Sequence, residues 1–226
     1  MKIKAIITGS TGMVGKGVLL ECLDSPKVES VLVINRKPIG IKHEKLKEII
    51  HPDFYDLSDI EEQLKGYNAC YFCLGVSSFR MSEADYTKVT HDLTIHFAET
   101  VLRMNLGMTF TYVTGVGTDS SEKSKTMWAR IKGRTENDLL EMPFKDAYMF
   151  RPGFIQPMKG IKSATKLYNA IYVVFKPLYP LLKAVVPNGI TSTVQMGQAM
   201  INVTTYDYQS KILHSREINE LALKMD

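Results

Sequence analysis

The stretch Thr8-Gly9-Ser10-Thr11-Gly12-Met13-Val14-Gly15 holds three glycines at a spacing that lets a chain bend sharply and open a helix. Such a turn binds anions through its backbone. The first glycine permits the bend, the second lets a pyrophosphate approach the main chain, and the third lets the helix pack close to the preceding strand. Free amides and the positive end of the helix dipole then face the phosphates. The motif has this meaning only between a strand and a helix, and here Lys2 to Thr8 reads as a strand and Met13 to Leu23 as a helix. Roughly 20 residues further on, where an NAD-preferring turn places an acid for the ribose hydroxyls, the sequence reads Asn35-Arg36-Lys37. A guanidinium with a neighbouring ammonium pairs a 2′-phosphate instead. NADP is therefore expected over NAD, the alternative being two solvated basic residues at a strand end.

The elements that must position these residues alternate. Short β-branched or aromatic runs at Lys2 to Thr8, Ser30 to Asn35, Leu46 to Ile50, Ala69 to Leu74, Thr109 to Thr114 and Ala147 to Arg151 are separated by helical patterns. The helices are expected at Met13 to Leu23, Asp59 to Leu64, Ser82 to Met104 and Lys123 to Glu141. Ser58 marks one start, and Ser82 with Asp85 three residues later marks another in the manner of a capping box. This alternation predicts βα units and a parallel sheet. After Arg151-Pro152-Gly153 the chain turns irregular and aromatic, with helices expected at Ser163 to Phe175 and Thr193 to Val203. A short strand near Lys211 to Leu213 and a helix from Arg216, capped by Ser215, complete the set.

The turn resembles the T-G-x-T-G-x-x-G of the atypical short-chain dehydrogenase/reductase superfamily, in particular its Tat-interacting-protein branch and proteins labelled epimerases. The resemblance runs from Met1 through Arg151-Pro152-Gly153-Phe154 and more loosely beyond. It implies a Rossmann-like doubly wound sheet of order 3-2-1-4-5-6, extended by a short seventh strand and carrying a small C-terminal helical lobe. It also implies that Asp56-Leu57 and Leu74-Gly75-Val76 flank the cofactor, and that Pro152, Gly153 and Phe154 border it. Active members place a Tyr-x-x-x-Lys pair on the helix after the fifth strand and work it with an upstream Ser or Thr. The matching helix reads Trp128-Ala129-Arg130-Ile131-Lys132. Lys132 is in place to hold the nicotinamide ribose, but Trp128 stands at the tyrosine position, and an indole N–H is no titratable acid. Thr114 either faces the reacting carbon or simply ends its strand.

Other patterns imitate sites. Tyr172 to Lys176 and Tyr179 to Lys183 repeat the catalytic spacing after the sixth strand, where packing is the expected role. Tyr86 occupies a family-like position on the long helix. Cys70-x-x-Cys73 lies in an expected strand, so its side chains point to opposite faces and read as buried thiols. His91 and His96 lack the spacing and acidic neighbours of a metal pair, and no metal is expected. Met81, Met127, Met149 and Met158 are either core filling or the border of a pliable pocket.

Composition bounds the rest. The chain has 226 residues, 45% hydrophobic and 23% charged, with three cysteines and net charge +4. That is the make-up of a globular protein without a disulfide framework, and too mild a charge for a nucleic-acid binder. Neither an export signal nor a spanning helix is expected, and the location expected from this is cytoplasmic. The positive excess is concentrated between Ala147 and Tyr206, a stretch without Asp or Glu that carries Arg151, Lys159, Lys162, Lys166, Lys176 and Lys183. It suggests an anionic substrate, a cofactor phosphate or an acidic partner surface, against the alternative of a solvated face. The expectation is one NAD(P)-binding domain over residues 1–226, with 152–226 as a substrate or partner lobe. Its expected activity is that of an NADP-dependent oxidoreductase on a small carbonyl or anionic substrate. The alternative, favoured by Trp128, is a non-catalytic NADPH sensor or partner-binding module.

Overall fold

The computed structural model describes residues 2–161 and 189–224. The helix expected at Ser163 to Phe175, both late Tyr-x-x-x-Lys patterns, and Lys162, Lys166, Lys176 and Lys183 lie outside them. Seven parallel strands form one sheet in the order β3-β2-β1-β4-β5-β6-β9. They are β1 (Ile3–Thr8), β2 (Val28–Asn35), β3 (Leu46–Ile50), β4 (Ala69–Phe72), β5 (Thr109–Val113), β6 (Asp146–Arg151) and β9 (Ile212–His214). The expected strand order, with its short seventh member, is the observed one. A separate parallel pair, β7 (Phe154–Gln156) with β8 (Ile190–Ser192), was not foreseen, because three-residue strands carry too little pattern to read.

A parallel sheet must be covered on both faces, and the alternation within β1 shows how. Ile3, Ala5 and Ile7 join one core with Val18 and Leu19 of α1 (Met13–Asp24) and Met196 and Met200 of α5 (Thr193–Thr205). Ile218 and Leu221 of α6 (Ser215–Ala222) complete that layer. Ile6 joins the opposite core with Phe72, Phe110 and Met149, beneath Phe97 and Val101 of α3 (Leu93–Met104) and Leu139 of α4 (Met127–Glu141). Met149 is thus fully buried core. Where α1 crosses α5, a Cβ on Gly17 would lie 2.5 Å from Cβ of Thr193, and one on Gly197 2.6 Å from Cγ of Glu21. Only glycine lets the two helices approach this closely.

The long helix over 83–104 is α2 (Glu83–Thr87), a π turn (Lys88–Asp92) and α3 in succession. Ser82 caps it as expected, accepting from the Asp85 amide at 3.1 Å and donating to its carboxylate at 2.6 Å. Three expected helix starts move. Ser58 donates to Asp56 instead of opening a helix, and only a 3-10 turn, Glu61–Leu64, follows. α4 begins at Met127 rather than Lys123, because the Asp119 carboxylate gathers the amides of Ser121, Lys123 and Ser124 into a loop. His214, not Ser215, caps α6, with Glu217 returning to the His214 amide at 2.9 Å. Ser215 accepts instead from the Gly153 amide at 2.9 Å.

Candidate functional site

The carboxyl ends of β1 and β4 lie side by side at the reversal of strand order, the usual crevice of a doubly wound sheet. Gly9 sits there with φ +68°, and a Cβ on it would lie 2.6 Å from the Cys73 carbonyl oxygen and 2.8 Å from the Leu74 nitrogen. A Cβ on Gly15 would overlap the Gly9 carbonyl. Gly12 is the N-cap of α1, with its amide on the Gly9 carbonyl at 2.9 Å and no side-chain cap. The first turn of α1 contains no acid, so its dipole end is uncompensated. Beside it the buried Thr8 hydroxyl has no hydrogen-bond partner among the described residues. A backbone cradle that any Cβ would fill, an uncapped helix start and an orphaned hydroxyl together fit a pyrophosphate.

The flanking residues divide into tethered and open. Ser10 is buried and donates to Asn35, whereas Thr11 is exposed. Met13 and Val14 form the half-buried first turn of α1. Arg36 and Lys37 are exposed and make no ion pair among the described residues. Asp56 accepts from the Ser58 hydroxyl at 2.7 Å and amide at 3.0 Å, which holds its carboxyl below the ordinary range, while Leu57 is buried. Leu74 is half-buried; Gly75 and Val76 are exposed.

At the other end of the crevice, Lys132 and Thr114 meet. The Lys132 ammonium donates to the Thr114 carbonyl oxygen at 3.2 Å, and burial pushes its pKa down to about 8, against the opposing pull of the Glu136 charge. The Thr114 hydroxyl is committed, donating to the Glu136 carboxylate at 2.5 Å. Glu136 is fully buried and holds a fork from Arg151, whose guanidinium also donates to the Ser120 hydroxyl at 2.5 Å. Trp128 stands one turn before Lys132 with its ring against Gly117, where a Cβ would lie 3.2 Å from Cη2. Pro152 accepts from the Val116 amide at 2.9 Å, Gly153 abuts Gly189, and Phe154 donates through its amide to the Gly189 carbonyl at 3.0 Å.

The Glu136–Arg151 pair escaped the sequence reading. An arginine ending the apolar run Ala-Tyr-Met-Phe was its signal, since a guanidinium there must find a buried acid. The basic stretch is altered accordingly. Of its six cations the two described ones are spent internally, Arg151 on Glu136 and Lys159 on Glu21 and Asp24, each of the latter at 2.6 Å. Tyr86 is buried, and burial raises its phenol pKa. Burial likewise raises the Cys70 thiol well above its usual range and Cys73 to about 12, on opposite faces of the sheet. His91 has both ring nitrogens paired: Asp92 lies 2.8 Å from Nδ1 and Asp138 2.6 Å from Nε2. Among the described residues no group of three or more such side chains is arranged as a metal site.

No family model matches the chain. It is 23% identical over 235 residues to the protein FMP52-1, mitochondrial, of Scheffersomyces stipitis, covering 99% of this chain and all of that one. It is 24% identical to the rat protein HTATIP2 over 151 residues, 66% of this chain and 61% of the relative. The expected resemblance to the atypical short-chain dehydrogenase/reductases holds. Solved structures share the fold of these proteins. A short chain dehydrogenase from Burkholderia cenocepacia in complex with NADP matches with TM-score 0.63 and 12% identity over 97% of this chain and 92% of that one. The Bordetella bronchiseptica enzyme WbmF in complex with NAD+ matches with TM-score 0.69 and 12% identity, over 98% and 76%. The cytoplasmic expectation is corrected, because relatives that span nearly the whole chain are named mitochondrial. No helix among the described residues is long and apolar enough to cross a membrane.

Proposed function

We propose that the chain is an NADP-dependent oxidoreductase of the short-chain type, acting on a small carbonyl or anionic substrate. The observation that carries this is the glycine turn at the strand-order reversal, where Gly9 and Gly15 leave no room for a Cβ and α1 presents an uncapped start. In this reading Gly9 to Gly15 hold the pyrophosphate through backbone amides. Arg36 and Lys37 take the 2′-phosphate, Asp56, Leu57, Leu74, Gly75 and Val76 flank the adenine side, and Pro152, Gly153 and Phe154 border the nicotinamide side. The Lys132 ammonium has one proton on the Thr114 carbonyl, leaving two N–H groups for the ribose hydroxyls. A bound dihydronicotinamide would supply the hydride, and water or a substrate group the proton for the reduced oxygen. Residues 1–226 act as one unit, with 152–226 shaping the substrate side.

The non-catalytic reading has its own observation. With Trp128 at the tyrosine position and the Thr114 hydroxyl donating to Glu136, neither side chain offers a titratable proton to a substrate. NADPH oxidation, followed by loss of its near-ultraviolet absorbance against aldehydes, ketones and quinones, separates the two. Turnover that Lys132→Ala abolishes supports the oxidoreductase. Tight NADPH binding without turnover, unchanged by Trp128→Tyr, supports the sensor and overturns the oxidoreductase.

A further inference from the structure

Glu48 stands on the edge strand β3, paired in register with Val33. One oxygen of its carboxylate accepts two hydrogen bonds, from Nδ2 of Asn35 at 2.8 Å and from the backbone amide of Ile39 at 2.9 Å. The Oδ1 of Asn35 accepts from the Ser10 hydroxyl at 2.8 Å. Ser10 and Asn35 are buried and Glu48 half-buried. An ionised carboxylate only accepts, so Asn35 must turn its amino group to Glu48 and its carbonyl to Ser10, and the Ser10 proton must point at Asn35. The acceptor oxygen on β3 thereby sets the direction of every bond back to the glycine turn.

The same oxygen pins both ends of the segment 35–39, and Arg36 and Lys37 lie between the pins. Two long cationic side chains on a loose loop lose much freedom on capturing a phosphate, and a loop already held loses less. An acid at this end of the sheet would otherwise suit the ribose hydroxyls of a cofactor lacking the 2′-phosphate. Here it is turned inward to the protein.

We propose that Glu48 is the positioning residue for cofactor selectivity, holding the 35–39 loop so that Arg36 and Lys37 meet a 2′-phosphate while withholding its own carboxylate from the ribose. This rests on the NADP reading above. It acts through hydrogen-bond acceptance, and that separates it from a role of charge.

The test is calorimetric titration of NADPH and NADH into the wild-type chain, Glu48→Ala and Glu48→Gln, with thermal melting without ligand as the check of folding. Glutamine keeps an acceptor oxygen and alanine does not. The expected result is preference for NADPH in the wild type, with Glu48→Ala losing about tenfold in NADPH affinity, the worth of one or two hydrogen bonds, and NADH within about twofold. Glu48→Gln should stay within about threefold of the wild type for both. Should the alanine variant not fold, Glu48→Met removes the acceptor at similar length and takes its place. Equal weakening of both cofactors in Glu48→Ala, or a full NADPH preference retained there, overturns the inference while leaving the NADP reading intact. Glu48→Gln matching Glu48→Ala overturns it also, in favour of charge. A wild type that binds both cofactors equally removes the NADP reading, and this inference with it.

Discussion

The two ends of the crevice are built from opposite materials. At β1 and α1 the surface is main chain: glycines whose missing Cβ atoms define the shape, an uncapped helix start, and cations left exposed. At β5, α4 and β6 it is side chain, and the side chains are mostly spent on one another. Thr114 donates to Glu136, Glu136 holds Arg151, and Arg151 reaches Ser120. The first end is kept open for a ligand of fixed shape. The second is closed around a buried ion pair, with Lys132 as the cation left at its edge. On the proposed reading the open end holds the pyrophosphate and the closed end faces the nicotinamide side, so damage to one can be told from damage to the other.

The largest effect should come from the closed end. Glu136→Ala leaves Arg151 buried without its acid and is expected to cost about 3–5 kcal/mol in urea unfolding. Glu136→Gln, which keeps an acceptor, should cost less. A loss below about 1 kcal/mol for the alanine variant would mean that the pair is solvated and the contrast misdrawn.

Next comes the open end. Gly15→Ala drives a Cβ into the Gly9 carbonyl, so an exchange that would favour a free helix by about 1 kcal/mol should instead destabilise by about 1–3 kcal/mol. NADPH affinity should fall at least about tenfold, since a shift of the turn breaks several backbone contacts at once.

A smaller effect tests Lys132. Its folded pKa lies near 8, below the free value of 10.5, so the ammonium that would hold the ribose is lost as pH rises through about 8. NADPH affinity should drop across that point, and in Lys132→Met the drop should vanish. Folding stability runs the other way. The unfolded chain binds this proton more tightly, so the cost of burying the charge is fully present below about pH 8 and is relieved as pH climbs toward 10.5. Melting of wild type against Lys132→Met over that range checks the sign.

The smallest effect is at the exposed cations. Arg36→Ala should weaken NADPH about three- to tenfold, one surface charge-assisted contact, with NADH unchanged. Equal loss for both cofactors would place the 2′-phosphate elsewhere.

The contrast also explains what could be read in advance. The glycine turn and the strands around it are legible because each depends on local chemistry: the β-branched run Val28–Asn35, the apolar and aromatic run Ala69–Phe72, and glycines where the backbone needs them. Lys132 is singled out by the family resemblance, as the lysine of the Tyr-x-x-x-Lys spacing on the helix after the fifth strand. What stayed hidden depends on residues distant in sequence. Glu136 and Arg151 are 15 positions apart, Asn35 and Glu48 are 13 apart, and no period connects them. The short β7 and β8 escaped for lack of length, and the start of α4 because Asp119 draws the preceding amides into a loop.

The most direct test of the account is a calorimetric titration of NADPH into the wild-type chain and into Gly9→Val, whose added side chain would strike the Cys73 carbonyl. The account predicts one saturable site per wild-type chain and its loss in the folded variant. Absence of binding by both NADPH and NADH in the wild type, or undiminished binding in Gly9→Val, would contradict it.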